Sequence, residues 1–328
     1  MESSMHIQQV MDLVKDEMVR VEEGFKENLS SRVPLVSKVG SYILMSGGKR
    51  FRPMVMLLST RLCGYKGDSH IQLAGVMEFI HTATLLHDDV VDNASLRRGS
   101  ASANAVWGHG ASILVGDYLL SKAFSLAVKH GSERILKVLA HTTTRMAEGE
   151  VMQLLKHSDI NTTEEDYLDV VTNKTAVLIS AAAHVAAILG AVSPERERAL
   201  SDYGLELGIA YQLMDDCLDY TSDDESLGKP AGNDLREGKV TMPLIYAFKK
   251  ASATEREFLR QAVESDEVED DVLKEVVALI ERHGGIKYAM DRAFEYVESA
   301  KRRLDVFEPD IERIALMAIA DFVVNRTS

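Results

Sequence analysis

The sequence predicts an all-α fold: a single domain, residues 1–328, built as a bundle of many helices around a central cavity. Three observations carry that expectation. Proline occurs six times, and the stretch from Met54 to Ser193 contains none. Because proline costs about 3 kcal/mol inside a helix, that stretch permits long helices. Aromatic residues are 6% of the chain and hydrophobic residues 46%, with much Ala, Leu and Met, a balance that favours helix over sheet. Runs of Val, Ile, Thr and Tyr bounded by turns, which a mixed α/β fold needs, are few. No Pro/Ser-rich linker or composition shift divides the chain, so one domain is expected.

Taken in order, the elements follow from periodicity. Ile7, Val10, Met11, Val14, Met18, Val21 and Phe25 advance in steps of three and four and mark one amphipathic helix. A turn follows at Ser46-Gly47-Gly48-Lys49, with Pro53 early in the next helix. Residues 71–92 make a helix apolar around much of its circumference, as a central helix is, and Gly99 and Ser100 end that region. Further helices are expected over 110–130, 132–156, 164–190, 195–220, 240–250 and 254–303, the last breaking near His283-Gly284-Gly285. Ser222 to Gly238 is rich in Gly, charge and Pro and has no helical pattern. There is no repeat at solenoid spacing and no low-complexity tract.

Composition narrows the function. A net charge of −14 argues against nucleic-acid binding, and it demands local cations wherever a polyanion is bound. Two cysteines, Cys63 and Cys217, make neither a disulfide framework nor a zinc pattern, which suits a reducing compartment. The first 29 residues carry seven acids against three bases and no apolar stretch, unlike a transit or signal peptide. The longest nearly apolar run, Ala176 to Val192, has seventeen residues interrupted by Ser180 and His184. A membrane span wants about 20, so a buried helix is expected, no transmembrane segment, and a cytoplasmic protein.

The strongest chemical signal is a DDxxD pattern that occurs twice, at Asp88-Asp89-Val90-Val91-Asp92 and at Asp215-Asp216-Cys217-Leu218-Asp219. Residues four apart share a helix face, so Asp88 stands above Asp92 and Asp215 above Asp219. Each patch gathers mutually repelling carboxylates inside an apolar segment, and buried unpaired charge is expensive, so something cationic must neutralise it. One such motif is ordinarily a solvated helix end. Two copies, both flanked by apolar residues, favour a site. The Gly-centred ligand loop of an EF-hand is absent, and zinc prefers Cys and His. Oxygen-only clusters suit magnesium, which is commonly bound by a few carboxylates together with substrate phosphates.

Short basic clusters accompany these patches. They are Gly47-Gly48-Lys49-Arg50-Phe51-Arg52-Pro53, then Arg97-Arg98, then Lys174 before Thr175, then Lys229 and Lys239 flanking a Gly-rich stretch. Singly, each is ordinarily a surface charge, and the glycines at 47 and 48 do not form a Walker frame. Their weight comes from company with two metal clamps.

These residues resemble the all-trans polyprenyl diphosphate synthases, and most closely the long-chain, octaprenyl-like members. The resemblance runs from about Gly47 to Pro243 and more weakly to both ends. It is carried by the segment 47–53, by His87 to Asp92 with Arg97-Arg98-Gly99, by Gly149-Glu150 with Gln153, and by Lys174-Thr175. Tyr211-Gln212 with Asp215, Asp216 and Asp219, then Gly228-Lys229, Gly232-Asn233-Asp234 and Glu237-Gly238-Lys239, complete it. Order, spacing and identity agree, with no departure from the family's catalytic pattern.

The resemblance implies the isoprenoid synthase fold and a prenyltransferase of isoprenoid biosynthesis. Such an enzyme condenses isopentenyl diphosphate with an allylic diphosphate, here farnesyl diphosphate. It implies that Asp88, Asp89, Asp92 and Asp215 ligate magnesium, three ions in all, around the allylic diphosphate, with Asp216 and Asp219 as supporting partners. Lys174, Lys229, Lys239 and Arg97 correspond to contacts with that diphosphate. Lys49, Arg52, His81 and Arg98 correspond to the pocket for isopentenyl diphosphate. Thr175, Gln212 and Gln153 correspond to polar groups at the cationic centre. Thr84 and Ala83, four and five residues before the first aspartate, would face the growing tail. Both are small, which implies a long product, with a floor deeper in, at Phe124, Met77 or Ile80. A homodimer is implied, with transient membrane contact for product release. The rival readings are a short-chain farnesyl or geranylgeranyl diphosphate synthase, a terpene cyclase, and a regulatory subunit of a heteromeric synthase. Small residues at 83 and 84, the isopentenyl-site residues and two complete acidic motifs argue against these in turn.

Overall fold

The structure, a computed structural model, describes residues 5–45, 47–48, 50–97, 99–221, 232–265 and 267–326. Helix makes up 80% of it and no closed sheet occurs among the described residues, so the chain is all-α as expected. It divides into two compact units. The first comprises Met1–Thr143, Leu178–Gly204 and Lys301–Ile319; the second comprises Thr144–Val177, Leu205–Ala300 and Ala320–Ser328.

The first unit is organised around the helix Ser69–Val91, which is buried around most of its circumference. Leu73, Val76, Met77 and Leu86 are all fully buried. It packs most extensively against His109–His130, and also against Phe51–Leu62 and Lys15–Asn28. Phe25 meets Phe79 edge-on at 5.4 Å. Arg50 locks this corner. It adopts the left-handed conformation (φ 47°) just ahead of Phe51–Leu62, and its guanidinium bonds Glu78 at 2.9 Å and the Leu44 carbonyl at 2.8 Å. Glu78 is buried, and a buried carboxylate needs such a partner. Arg50 is therefore a cation of the 47–53 cluster that serves the fold.

Several elements differ from expectation. The N-terminal helix is two, Ile7–Leu13 and Lys15–Asn28, parted where the Val14 N–H closes on the Met11 carbonyl at 3.3 Å. The tighter turn keeps Val10, Val14, Val21 and Phe25 buried together. Pro34–Met45 and Ile311–Asn325 are helices that periodicity did not pick out. A short hairpin pairs Leu96–Arg97 with Ser100–Ala101. Gly99 (φ 75°) turns it, since tight hairpin loops need positive φ.

In the second unit Met242–Lys250, Ala253–Glu264 and Asp270–Arg282 enclose Leu244, Leu259, Val276 and Ile280. The expected 254–303 helix breaks twice, between Glu264 and Asp270 as well as at Gly284. Gly284 holds φ 74° with open space beside it, so the conformation selects glycine there. The stretch from Ser222 to Gly238 is not wholly without helix, because Asn233–Arg236 forms a single turn. Residues 222–231 lie outside the described residues.

The expected 164–190 helix is continuous but not uniform. Glu164–Val171 and Val177–Leu189 are α-helical, and Thr172–Ala176 between them is a π turn in which the Val177 N–H reaches back to the Thr172 carbonyl. Two helical stretches, His109–His130 and Glu164–Leu189, are long and apolar enough to cross a bilayer by length and composition. The apolar window of the second is 61% buried within the fold, the behaviour of a core helix.

Candidate active site

The first acidic motif lies in the first unit, at the C-terminal end of Ser69–Val91. Asp88 and Asp89 occupy the last turn, and Asp92 is the cap, its N–H donating to the Asp88 carbonyl at 2.8 Å. A helix C-terminus carries partial negative charge, and that last turn holds no basic residue. Dipole and carboxylates thus repel, and a cation from elsewhere must settle the end. Arg97 does part of this from the hairpin. Its Nε donates to Asp89 Oδ1 at 2.8 Å, and its Nη2 bonds the same oxygen. Asn104 Nδ2 holds the Asp89 carbonyl at 3.0 Å. Asp89 is wholly buried, and its Oδ2 takes no hydrogen bond from any described residue.

Other expected residues of this unit share the same helix or its neighbour. His81 is half-buried two turns before Asp88, and its carbonyl accepts from Thr84 Oγ1 at 2.8 Å. Ala83 is 1% exposed, Thr84 half-buried. Arg52 is half-buried in the first turn of Phe51–Leu62. His87 packs its ring onto Gly116 of His109–His130, where any Cβ would lie 2.3 Å from Nε2. That close fit seats the motif's helix. Lys49 and Arg98 lie outside the described residues.

The second motif lies in the second unit, again in the last turns of a helix, Pro194–Thr221, again with no basic residue in its last turn. A hydrogen-bonded chain runs through it. Thr175 Oγ1 donates to Gln212 Oε1 at 3.0 Å, Gln212 Nε2 donates to Asp216 Oδ1 at 2.8 Å, and the Tyr167 hydroxyl donates to Asp216 Oδ2 at 2.6 Å. Burial, reinforced by the nearby Asp234 carboxylate, pushes the Asp216 carboxyl well above the usual range. Asp219 Oδ2 accepts from the Asp234 N–H at 3.0 Å, and its carbonyl accepts from the Gly232 N–H at 2.7 Å. Asp215 meets Arg326 at 2.7 Å.

The π turn sets Lys174 and Thr175. Lys174 Nζ pairs with Glu150 at 2.5 Å, and Arg145 Nε fixes the Asn173 side chain at 2.7 Å. Glycines of two adjoining helices make the room. A Cβ on Gly149 would lie 2.6 Å from Lys174 N, and one on Gly208 would lie 2.5 Å from Ala176 Cα. Lys239 Nζ pairs with Glu237 at 2.6 Å, while Asn233 Nδ2 holds the other Glu237 oxygen at the same distance. Gln153 is half-buried, one turn past Gly149. Lys229 lies outside the described residues. Neither cysteine is a nucleophile, since burial pushes both thiols up to about 12.

Residues 33–280 match the family described as Polyprenyl synthetase. The chain is 41% identical over 322 residues to an octaprenyl diphosphate synthase of Escherichia coli (strain K12), which is 98% of this chain and 99% of that enzyme. This chain belongs to the polyprenyl synthetase family. Members are prenyl diphosphate synthases, and so prenyltransferases. A short chain isoprenyl diphosphate synthase of Methanothermobacter thermautotrophicus is 36% identical, over 97% of this chain and 99% of that one. Among solved structures, a polyprenyl synthase from Caulobacter crescentus CB15, complexed with calcium and isoprenyl diphosphate, superposes with a TM-score of 0.96 at 39% identity, covering 99% of both chains.

Polyprenyl synthetases use magnesium to bind diphosphate. The residues of both motifs fit that ion. Every donor is a hard oxygen, both motifs sit at the negative end of a helix, and Asp89 Oδ2 is a buried oxygen with no hydrogen-bond donor among the described residues. Among the described residues no three acidic, histidine or cysteine side chains converge to hold a metal by themselves. Magnesium accepts such sites, because it completes its shell with waters and substrate phosphate oxygens.

Sequence reasoning missed Tyr167 and Arg326, which hold Asp216 and Asp215, and gave no role to Glu150, the partner of Lys174. Tyr167 lies 49 residues from Asp216 and Arg326 lies 111 from Asp215 in a chain end with no motif around it, so spacing carried no signal.

Proposed function

We propose that this polyprenyl synthetase extends farnesyl diphosphate with isopentenyl diphosphate to a long-chain, octaprenyl-like product. The observation that carries the long-chain reading is the pair Ala83 and Thr84, small side chains one turn before Asp88 on the helix that ends in the first acidic motif. Likeness to an octaprenyl diphosphate synthase along nearly the whole chain supports it.

The site residues act as follows in this reading. Asp88, Asp89, Asp92 and Asp215 hold magnesium, three ions with the substrate diphosphate, and Asp216 and Asp219 support them. Bound magnesium supplies Lewis acidity at the departing diphosphate. Lys174, Lys229, Lys239 and Arg97 neutralise the allylic diphosphate as negative charge gathers on it. Glu150 and Glu237 keep Lys174 and Lys239 in place until that anion arrives. Lys49, Arg52, His81 and Arg98 hold isopentenyl diphosphate so that its double bond faces the allylic carbon. Thr175 and Gln212, with Gln153, present oxygen dipoles to the cationic centre, and the Tyr167–Asp216 bond fixes that line of donors from behind. The proton lost after bond formation leaves with the released diphosphate. The aspartates serve in this reading as metal ligands and their supports, not as general acids.

The whole chain, 1–328, acts as one polyprenyl synthase domain in this proposal, in the cytoplasm, with transient membrane contact at product release. A homodimer is supported by large apolar side chains left at the surface of each unit: Leu114 (69% exposed) and Val128 in the first, Leu154 and Leu155 (76% exposed) in the second.

The test is product analysis after incubation with farnesyl diphosphate, labelled isopentenyl diphosphate and magnesium, beside a chelator control. A metal-dependent ladder ending at a long polyprenyl diphosphate is expected. Elongation stopping after a single addition, at the geranylgeranyl product, would favour a short-chain enzyme, a reading to which the Methanothermobacter relative lends some weight.

A further inference from the structure

The hydrogen-bonded chain through the second motif joins two helices and crosses between them twice. Tyr167 and Thr175 lie on the helical stretch 164–189, and Gln212 and Asp216 stand one turn apart on Pro194–Thr221. Eight residues of plain α-helix would swing Thr175 about 80° off the face of Tyr167. The π turn Thr172–Ala176 winds less per residue and returns Thr175 toward that face. Both side chains therefore meet the same neighbouring helix, Tyr167 at Asp216 and Thr175 at Gln212.

The direction of each bond matters as much as its length. Tyr167 is 5% exposed and its hydroxyl donates to Asp216 Oδ2, while Gln212 Nε2 donates to Oδ1, so both carboxyl oxygens have donors. With its amide nitrogen turned to Asp216, Gln212 shows its oxygen to Thr175 and accepts from that hydroxyl. Thr175 thus spends its only hydroxyl proton on the protein, and its oxygen has lone pairs alone to offer elsewhere. A flipped amide would set oxygen against oxygen at Asp216 and free the Thr175 proton to point outward, the wrong polarity for a cation.

We propose that Tyr167 is a positioning residue for the Thr175 hydroxyl: by occupying Asp216 Oδ2 it leaves Oδ1 alone to meet Gln212, and so gives the whole line one direction. The proposal deepens the reading of Thr175 as a group facing the allylic cation, and rests on it. Without the Tyr167 hydroxyl, Asp216 keeps its bond to Gln212 but has a buried oxygen with no donor. The carboxyl then has two ways to meet Gln212, and the Thr175 hydroxyl no longer has a single orientation.

Single-turnover condensation of farnesyl diphosphate with isopentenyl diphosphate, at saturating substrates and magnesium, tests this on the full chain. Tyr167→Phe keeps the ring and should slow that step about tenfold, the weight of one hydrogen bond. Calorimetric titration of the same variant with magnesium and inorganic diphosphate should match the parent. Thr175→Val should slow the step at least as much, and on that background Tyr167→Phe should have no further effect. An unchanged rate in Tyr167→Phe, or additive losses in the double variant, would overturn the proposal. So would a slow step that accompanies weaker magnesium binding and recovers with excess metal, since Tyr167 would then act at the ion. If Thr175→Val alone condenses as fast as the parent, the reading of Thr175 fails first and takes the proposal with it. Should Tyr167→Phe not fold, Tyr167→Met lacks the same hydroxyl and carries the same comparison.

Discussion

A methyl group at position 83 occupies little of the space that a phenol ring would fill. Ala83 is buried on a helix whose end bears the first acidic motif, so a bulky replacement must either displace its neighbours or fill a product channel. Ala83→Tyr is expected to shorten the product while turnover persists, as chromatography of the dephosphorylated products would reveal. Unchanged length would remove Ala83 from the pocket wall. Arg97 gives a second prediction. Removing one member of a buried ion pair costs about 3–5 kcal/mol, and less here because Arg97 is one-fifth exposed while Asp89 is fully buried. Arg97→Ala should therefore melt several degrees lower than the parent, and a melting curve unmoved by the change would mean that water serves Asp89 equally well. The placing of Asp88 and Asp92 one helix turn apart was legible in sequence because a four-residue spacing is local to one turn. The partner of Asp89 was half-legible. Arg97 stands eight residues on, but its return to Asp89 needed a hairpin too short to announce itself.

Among the elements, the π turn Thr172–Ala176 departs furthest from the predicted pattern and bears most directly on the site. One extra residue in a turn leaves the apolar pattern on either side intact, so periodicity could not detect it. What permits the turn lies on other helices, where Gly149 and Gly208 have no Cβ. Either Gly149→Ala or Gly208→Ala would press a methyl group against backbone, which cannot yield as a side chain can. Each should lose about 1–3 kcal/mol of stability, and turnover should fall further than stability because Lys174 and Thr175 are displaced. Thermal melts and initial rates on the same preparations would separate the two effects. The cap of Ala253–Glu264 makes a pH-dependent case. The Ser252 N–H donates to Glu255 at 2.8 Å, and with further bonds from Arg282 and His283 this holds the Glu255 carboxyl at about 2 rather than 4.5. A depressed acid stabilises the fold above its unfolded value and loses that contribution as pH falls. The difference in melting temperature between the parent and Glu255→Gln should be full at neutral pH and shrink below about 4.5. A gap that held constant down to pH 3 would show the bond, and not the charge, to be what matters.

For the whole molecule, the surface itself carries a prediction. Leu114→Glu, or Leu154 and Leu155 changed together to Glu, should shift the enzyme from dimer to monomer in sedimentation while each unit stays folded. A parent chain that sediments as a monomer would dismiss the exposed leucines as an interface. Charge belongs to this scale too. A chain of net charge −14 that binds diphosphates has to reverse its field locally, and the cations proposed for that task, Lys174, Lys239 and Arg97, are each already paired with an acid in the protein.

The sequence by itself determined the all-α class, most helix bounds to within a residue or two, both acidic motifs and the family, because these depend on composition and on spacings shorter than a helix turn or two. Tertiary structure decided which partner holds each carboxylate. Tyr167 reaches Asp216, Arg326 reaches Asp215, and Gly149 and Gly208 admit the π turn only because distant segments pack there. Such contacts depend on how whole helices meet. An ion pair of 2.7 Å between residues 111 apart leaves no trace in the spacing of either, so only the folded chain could reveal it.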